Sequence, residues 1–129
     1  MSTKYANLLQ QAKEAAKNAY APYSNFPVGA SALFESGATY TGCNVENASY
    51  GLSLCAERNA LSTAIAQGEK TKLVAIAIYS PNMPSCVPCG ACRQWLNEFS
   101  PDGKIIVEKE NGEIQTYMVK ELLPYAFNL

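Results

Sequence analysis

The sequence predicts an α/β fold, a mixed five-stranded sheet with helices packed on its faces. Three observations lead there. Apolar residues recur at helical spacing near the start of the chain, residues 73–79 are almost uninterruptedly aliphatic, and the turn signals Glu35-Ser36-Gly37 and Asn111-Gly112 each separate two short strand-like runs.

In chain order, Leu8, Leu9, Ala12, Ala15, Ala16 and Ala19 share one face of a helix that begins near Tyr5, and Pro22 prevents its continuation. Val28, Ala30, Ala32 and Phe34 alternate with smaller or polar residues and predict a strand, to which Ala38 to Gly42 returns antiparallel. Ala56 to Gln67 is rich in helix formers and closes at Gly68, a residue suited to the left-handed backbone of a helix end. Leu73 to Tyr79 reads as a central strand covered on both faces. Pro88 introduces a helix from Cys89 to about Phe99, and Ile105–Val107 and Ile114–Tyr117 are strands joined through Asn111-Gly112. A short last helix is expected to stop near Pro124. No repeat or linker breaks this order, so residues 1–129, at 48% hydrophobic content, are expected to bury one core as a single domain.

Composition narrows the function. A formal charge of −1 offers no basic footprint for nucleic acid or an anionic membrane, so neither partner is expected and a polymer substrate is disfavoured. No apolar run approaches the roughly 20 residues of a membrane span, and the N-terminus is polar and amphipathic, which points to the cytoplasm. The five cysteines, an odd number, gather around one glutamate in a chain without histidine, a pattern that suits metal ligation in a reducing compartment better than a disulfide framework.

The chemistry resides in Cys55-Ala56-Glu57-Arg58 and Pro88-Cys89-Gly90-Ala91-Cys92-Arg93. Residues three apart share a helix face, so Cys89 and Cys92 at a helix start can aim both sulfurs at one zinc ion. Cys55 and Glu57 would diverge on a regular helix, which places Cys55 at the loop-to-helix transition and Glu57 in the first turn. Three thiolates around a divalent ion leave a net negative charge. The positive ends of two helices and the chain's two arginines, Arg58 and Arg93, could compensate, each arginine donating to sulfur. Three protein ligands leave an open position for water, and Glu57 is the carboxylate available to take its proton, pass it to a substrate ring nitrogen and protonate the leaving group. Other readings stay open: a redox dithiol at Cys89 and Cys92, or a closed four-cysteine structural zinc site that recruits Cys86.

These motifs resemble those of the zinc-dependent cytidine deaminases, in particular the short, all-cysteine, tetrameric type, and the resemblance spans nearly the whole chain. It implies a three-layer α/β/α fold, one zinc ion per subunit held by Cys55, Cys89 and Cys92, Glu57 as proton shuttle, and attack of activated water on C4 of cytosine. It further implies deamination of cytidine and deoxycytidine in pyrimidine salvage. Asn44 and Glu46, in Cys43-Asn44-Val45-Glu46-Asn47-Ala48, would hold the ribose hydroxyls, with Phe26 and Ala56 lining the base pocket and Tyr50 and Phe127 completing sites in a homotetramer. Glu46 would repel a phosphate on the sugar, which favours a free nucleoside. On the residues alone, Asn44 and Glu46 also suit an Asx-type turn and a solvated acid, Phe26 a core position, Phe127 ordinary packing of the last helix, and Cys43 and Cys86 bystander thiols or small core residues. Deamination of a modified cytosine nucleoside such as blasticidin S, or a non-catalytic structural zinc module, are the competing functions.

Overall fold

The computed structural model describes residues 3–129. Its elements are α1 (Thr3–Ala16), β1 (Gly29–Phe34), β2 (Thr39–Cys43), α2 (Ala56–Ala66), β3 (Leu73–Tyr79), α3 (Gly90–Phe99), β4 (Lys104–Glu108) and β5 (Ile114–Met118), with 3-10 turns at Tyr50–Leu52 and Val119–Glu121. The strands form one sheet in the order β2-β1-β3-β4-β5. The β3–β4 pair is parallel, with Ile76 opposite Ile105, and every other pair is antiparallel. The parallel pair requires a crossover, and α3 supplies it.

Alternation along the strands sends side chains to two separate cores. Ala30, Ala32, Phe34, Ile76, Ile78, Ile105 and Val107 pack with Ala56, Ala60, Leu61 and Ala64 of α2 and Leu96 of α3. Leu33, Ala75, Ala77 and Ile106 pack with Leu8, Leu9 and Ala12 of α1. The aliphatic run in β3 thus serves both faces, as its lack of alternation predicts. Each fully buried Leu or Ile contributes roughly 1.5–3 kcal/mol. The expected three layers are present, with α1 on one face and α2 and α3 on the other.

Two helices sit against the sheet at glycine. A Cβ on Gly29 would lie 2.0 Å from the Ala12 carbonyl oxygen of α1, and one on Gly42 would lie 2.4 Å from the Ala60 nitrogen of α2. No other residue allows that approach.

Two boundaries differ from expectation. α1 ends at Ala16, because Tyr20 leaves the helix to bridge Val45 in parallel. The last helix is only the 3-10 turn Val119–Glu121, where the Glu121 carboxylate accepts from the Met118 N–H at 2.7 Å and Tyr125 takes a positive φ of 56°.

At the far end of α2, the buried Glu69 carboxylate accepts from the Ser36 hydroxyl at 2.8 Å, the Tyr40 hydroxyl at 2.9 Å and the Thr71 N–H at 3.0 Å. The hydroxyl of Thr71 and that of Ser36 hold its pKa down to about 2, from an ordinary value of 4.5. A folded-state pKa below the unfolded one means stability that is fully present above about pH 4.5 and lost as pH falls toward 2. Glu69→Gln is therefore expected to flatten the acid limb of a plot of Tm against pH between those values, and parallel limbs for the two proteins would refute this.

Candidate active site

A short three-segment ladder outside the main sheet assembles the site. Val45 pairs with Leu54 through N–H···O bonds of 3.0 and 2.9 Å, and Tyr20 pairs on either side of Val45, donating to the Asn44 carbonyl at 3.0 Å and accepting from the Glu46 N–H at 2.9 Å. Leu54 precedes Cys55, so this ladder sets Asn44 and Glu46 beside the start of α2. Asn59 of α2 donates to the Cys43 carbonyl at 2.8 Å and closes the same junction.

Cys55 is the N-cap of α2 and Cys89 the N-cap of α3, and neither sulfur accepts a capping hydrogen bond from a backbone N–H of its own helix. Both point elsewhere. Together with Cys92, in the first turn of α3, they bring three Sγ atoms within 4.8 Å of one another. A tetrahedral zinc ion with sulfurs at about 2.3 Å sets neighbouring sulfurs about 3.8 Å apart, so the set fits such an ion with a slight contraction. Among the described residues this is the one such group, and Cys86 and Cys43 lie outside it. No cysteine is in a disulfide.

The electrostatics match three clustered sulfurs. A hydrogen bond from the Cys92 thiol, helped by Arg58, lowers the Cys55 pKa to about 5, while giving that bond and being buried raise that of Cys92. Arg58 Nη2 donates to the Cys55 sulfur at 3.3 Å. Its Nε is buried without an acceptor. Glu57 is 5% exposed, and burial, reinforced by the charge of Cys55, lifts its carboxyl to about 7. Cys86, buried, rises to about 11, with the charge of Glu57 contributing after burial. An acid that carries its proton near neutrality beside a cation-binding triad is equipped for proton transfer.

Arg93 does not follow the expectation set for it. Its Nε donates to the Pro88 carbonyl at 2.8 Å and its Nη1 to the Leu122 carbonyl at 3.1 Å, so it braces the loop that delivers Cys89 instead of reaching sulfur. Five residues after Pro88 on the adjoining helix, it is directed back along the loop by its own turn.

The remaining candidates fall into two groups. Phe26, Asn44, Glu46 and Ala56 gather around the ladder: Asn44 accepts from Val28 N–H at 2.9 Å and donates to the Phe26 carbonyl at 2.9 Å, while Glu46 accepts from Tyr23 N–H at 3.0 Å and Ser24 N–H at 3.1 Å. Asn44 thus makes no Asx turn, and Glu46 is a half-exposed acid tied to the Tyr23–Ser24 backbone. Asn47 makes the Asx turn of this segment, to Ser49 N–H at 2.9 Å. Tyr50 and Phe127 are the exposed pair, at 75% and 70%, Tyr50 lining a cavity together with Glu46 and Phe127 lying against α3. The Tyr50 ring meets that of Tyr23 edge-on at 6.2 Å, and the Phe127 backbone is clasped by the Gln94 amide of α3 through bonds of 2.8 and 3.2 Å. Ser24, Asn59 and Gln94 were missed by sequence reasoning. Only Ser24 carried a signal, the Ser-x-Phe spacing of a turn in which its hydroxyl accepts from Phe26 N–H.

Comparisons agree with this geometry. Residues 2–114 match the model of the cytidine and deoxycytidylate deaminase zinc-binding region. The chain is 46% identical over 121 residues to a cytidine deaminase of Halalkalibacterium halodurans, covering 93% of this chain and 91% of that one. Crystal structures of cytidine deaminases from Burkholderia pseudomallei (43% identity, TM-score 0.90, 98% of this chain and 100% of that) and Mycobacterium tuberculosis (38%, 0.86, 99% and 100%) share its fold. With a matching domain model, full-length relatives and a three-sulfur zinc site beside a buried glutamate, this chain belongs to the cytidine and deoxycytidylate deaminase family.

Proposed function

We propose that this protein hydrolyses the exocyclic C–N bond of cytidine and deoxycytidine, yielding uridine or deoxyuridine and ammonia, for pyrimidine salvage in the cytoplasm. The observation that carries the reading is the meeting of Cys55, Cys89 and Cys92 with buried Glu57 where two helices begin. These cysteines would hold one zinc ion per subunit, with Arg58 offsetting thiolate charge. Zinc supplies Lewis acidity, which makes water a nucleophile at neutral pH.

Glu57 moves the protons. It takes one proton from the attacking water and delivers it to the ring nitrogen N3 as the C4–O bond forms and C4 becomes tetrahedral; it then takes the proton of the new C4 hydroxyl and gives it to the amine, so that the C4–N bond breaks, ammonia leaves and a C4 carbonyl remains. Asn44 and Glu46 orient the sugar by its hydroxyls, and Phe26 and Ala56 bound the base. One domain spanning 1–129 carries this machinery, and a homotetramer completes it, with Tyr50 and Phe127 reaching neighbouring sites. Supporting assembly, Leu52, Tyr125 and Leu129 are exposed with them, at 67%, 104% and 115%. Among the described residues no helix is long and apolar enough to cross a membrane.

A spectrophotometric assay on cytidine, deoxycytidine and cytidine monophosphate, run beside metal analysis, tests the reading. Conversion of the two nucleosides, none of the nucleotide, and about one zinc per chain are expected. Zinc without conversion of either nucleoside would leave a structural metal module instead.

A further inference from the structure

The loop of residues 21–28 carries Phe26, and its hydrogen bonds run to the residues assigned to the sugar. Glu46 Oε1 accepts from the N–H groups of Tyr23 and Ser24, and Oε2 accepts from the Ser24 hydroxyl. The same Ser24 oxygen accepts from the Phe26 N–H at 3.0 Å, and the Phe26 carbonyl accepts from the Asn44 amide at 2.9 Å. Both polar groups of the Phe26 peptide are thus fixed by side chains that also hold, or belong to, the sugar pair.

A carboxylate offers about four acceptor positions. Oε1 uses two and Oε2 uses one, which leaves one position, on Oε2, for a single external donor. The Ser24 hydroxyl decides which position stays open, because its proton is committed to Glu46 while its lone pair is committed to Phe26. Glu46 lines a cavity of about 370 Å³ together with Tyr23, Ser24, Tyr50 and Ser53. The hydrogen bonds also hold Glu46 below the ordinary carboxylate range, Ser24 hydroxyl foremost, so it stays an acceptor.

We propose that Ser24 is a positioning residue that locks Glu46 and Phe26 into one unit, leaving Glu46 a single acceptor site for one sugar hydroxyl. The proposal rests on the reading that Glu46 binds the sugar, and deepens it: base position and sugar recognition are set by one side chain that itself touches neither.

The test is steady-state kinetics of full-length protein on cytidine, 2′-deoxycytidine and 3′-deoxycytidine. Loss of a hydrogen bond to a charged group predicts that Ser24→Ala raises KM for cytidine about tenfold or more, with kcat changed less than about threefold. The preference for the analogue that keeps the Glu46-bound hydroxyl over the one that lacks it should shrink by a similar factor. Ser24→Thr, which retains the hydroxyl, should restore both, and in a Glu46→Gln background Ser24→Ala should add little. Ser24→Cys keeps the volume with a weak donor and should behave like Ser24→Ala even where the latter folds poorly.

A merely structural serine would lower Tm without altering the preference between analogues, which would overturn the proposal. If the wild type converts cytidine and Glu46→Gln raises KM, yet Ser24→Ala and Ser24→Cys leave KM and the preference unchanged, the role of Ser24 falls while the proposed function stands. If the wild type converts no nucleoside, both fall.

Discussion

Glu57→Gln is expected to lower kcat on cytidine by on the order of 10³-fold while leaving zinc content and Tm near wild type. Glutamine fills the same volume but cannot accept and return a proton, so both transfers at N3 and at the leaving amine lose their carrier. Metal retention follows from the donor set, which consists of three sulfurs and does not include the carboxylate. Folding should not suffer, because Glu57 is 5% exposed and its charged form is disfavoured by burial and by the neighbouring Cys55. The check is kcat at saturating cytidine beside metal analysis and thermal melting. Undiminished turnover would remove Glu57 from the mechanism, whereas loss of zinc along with activity would show that its part is to hold the site together.

Gly42→Ala should damage the protein as severely from a position that touches no substrate. The added methyl would lie 2.4 Å from the Ala60 nitrogen, 2.6 Å from the Ala56 carbonyl oxygen and 2.9 Å from the Asn59 carbonyl carbon, all backbone atoms that cannot rotate away. The helix α2 must lift from β2 to make room. Overpacking of this kind costs about 3 kcal/mol, or roughly 10 °C in Tm for a chain of this size. Lifting α2 also displaces Cys55 and Glu57 at its start and strains the Asn59 bond to the Cys43 carbonyl, so zinc content should fall with Tm. Melting and metal analysis of the variant decide it, and an unchanged Tm would mean the helix does not sit on the strand as described.

Periodic patterns were legible because burial imposes them locally. β1 was placed by alternation, β3 and β4 by aliphatic runs, β2 and β5 by the turn signals that precede them, and α2 and α3 by composition and flanking Gly68 and Pro88. The end of α1 was misplaced because Ala19 continues the apolar face while Tyr20 is drawn off by Val45, twenty-five residues away in sequence. The last helix was overextended because Glu121 caps a single 3-10 turn where a longer element was expected. In the site, the three cysteines and Glu57 could be read from residue type and spacing. The destinations of Arg93, Asn44 and Glu46 could not, because each bonds backbone groups that only folding brings near.

Cysteine is a poor choice for beginning a helix, and this molecule makes that choice twice. Serine, aspartate or asparagine at positions 55 and 89 would satisfy backbone donors that a thiol aimed elsewhere leaves to other partners, a difference of about 1 kcal/mol at each helix. Sulfur stands there against the local preference of the backbone, which makes the two positions a trade in which the fold gives ground to the reaction.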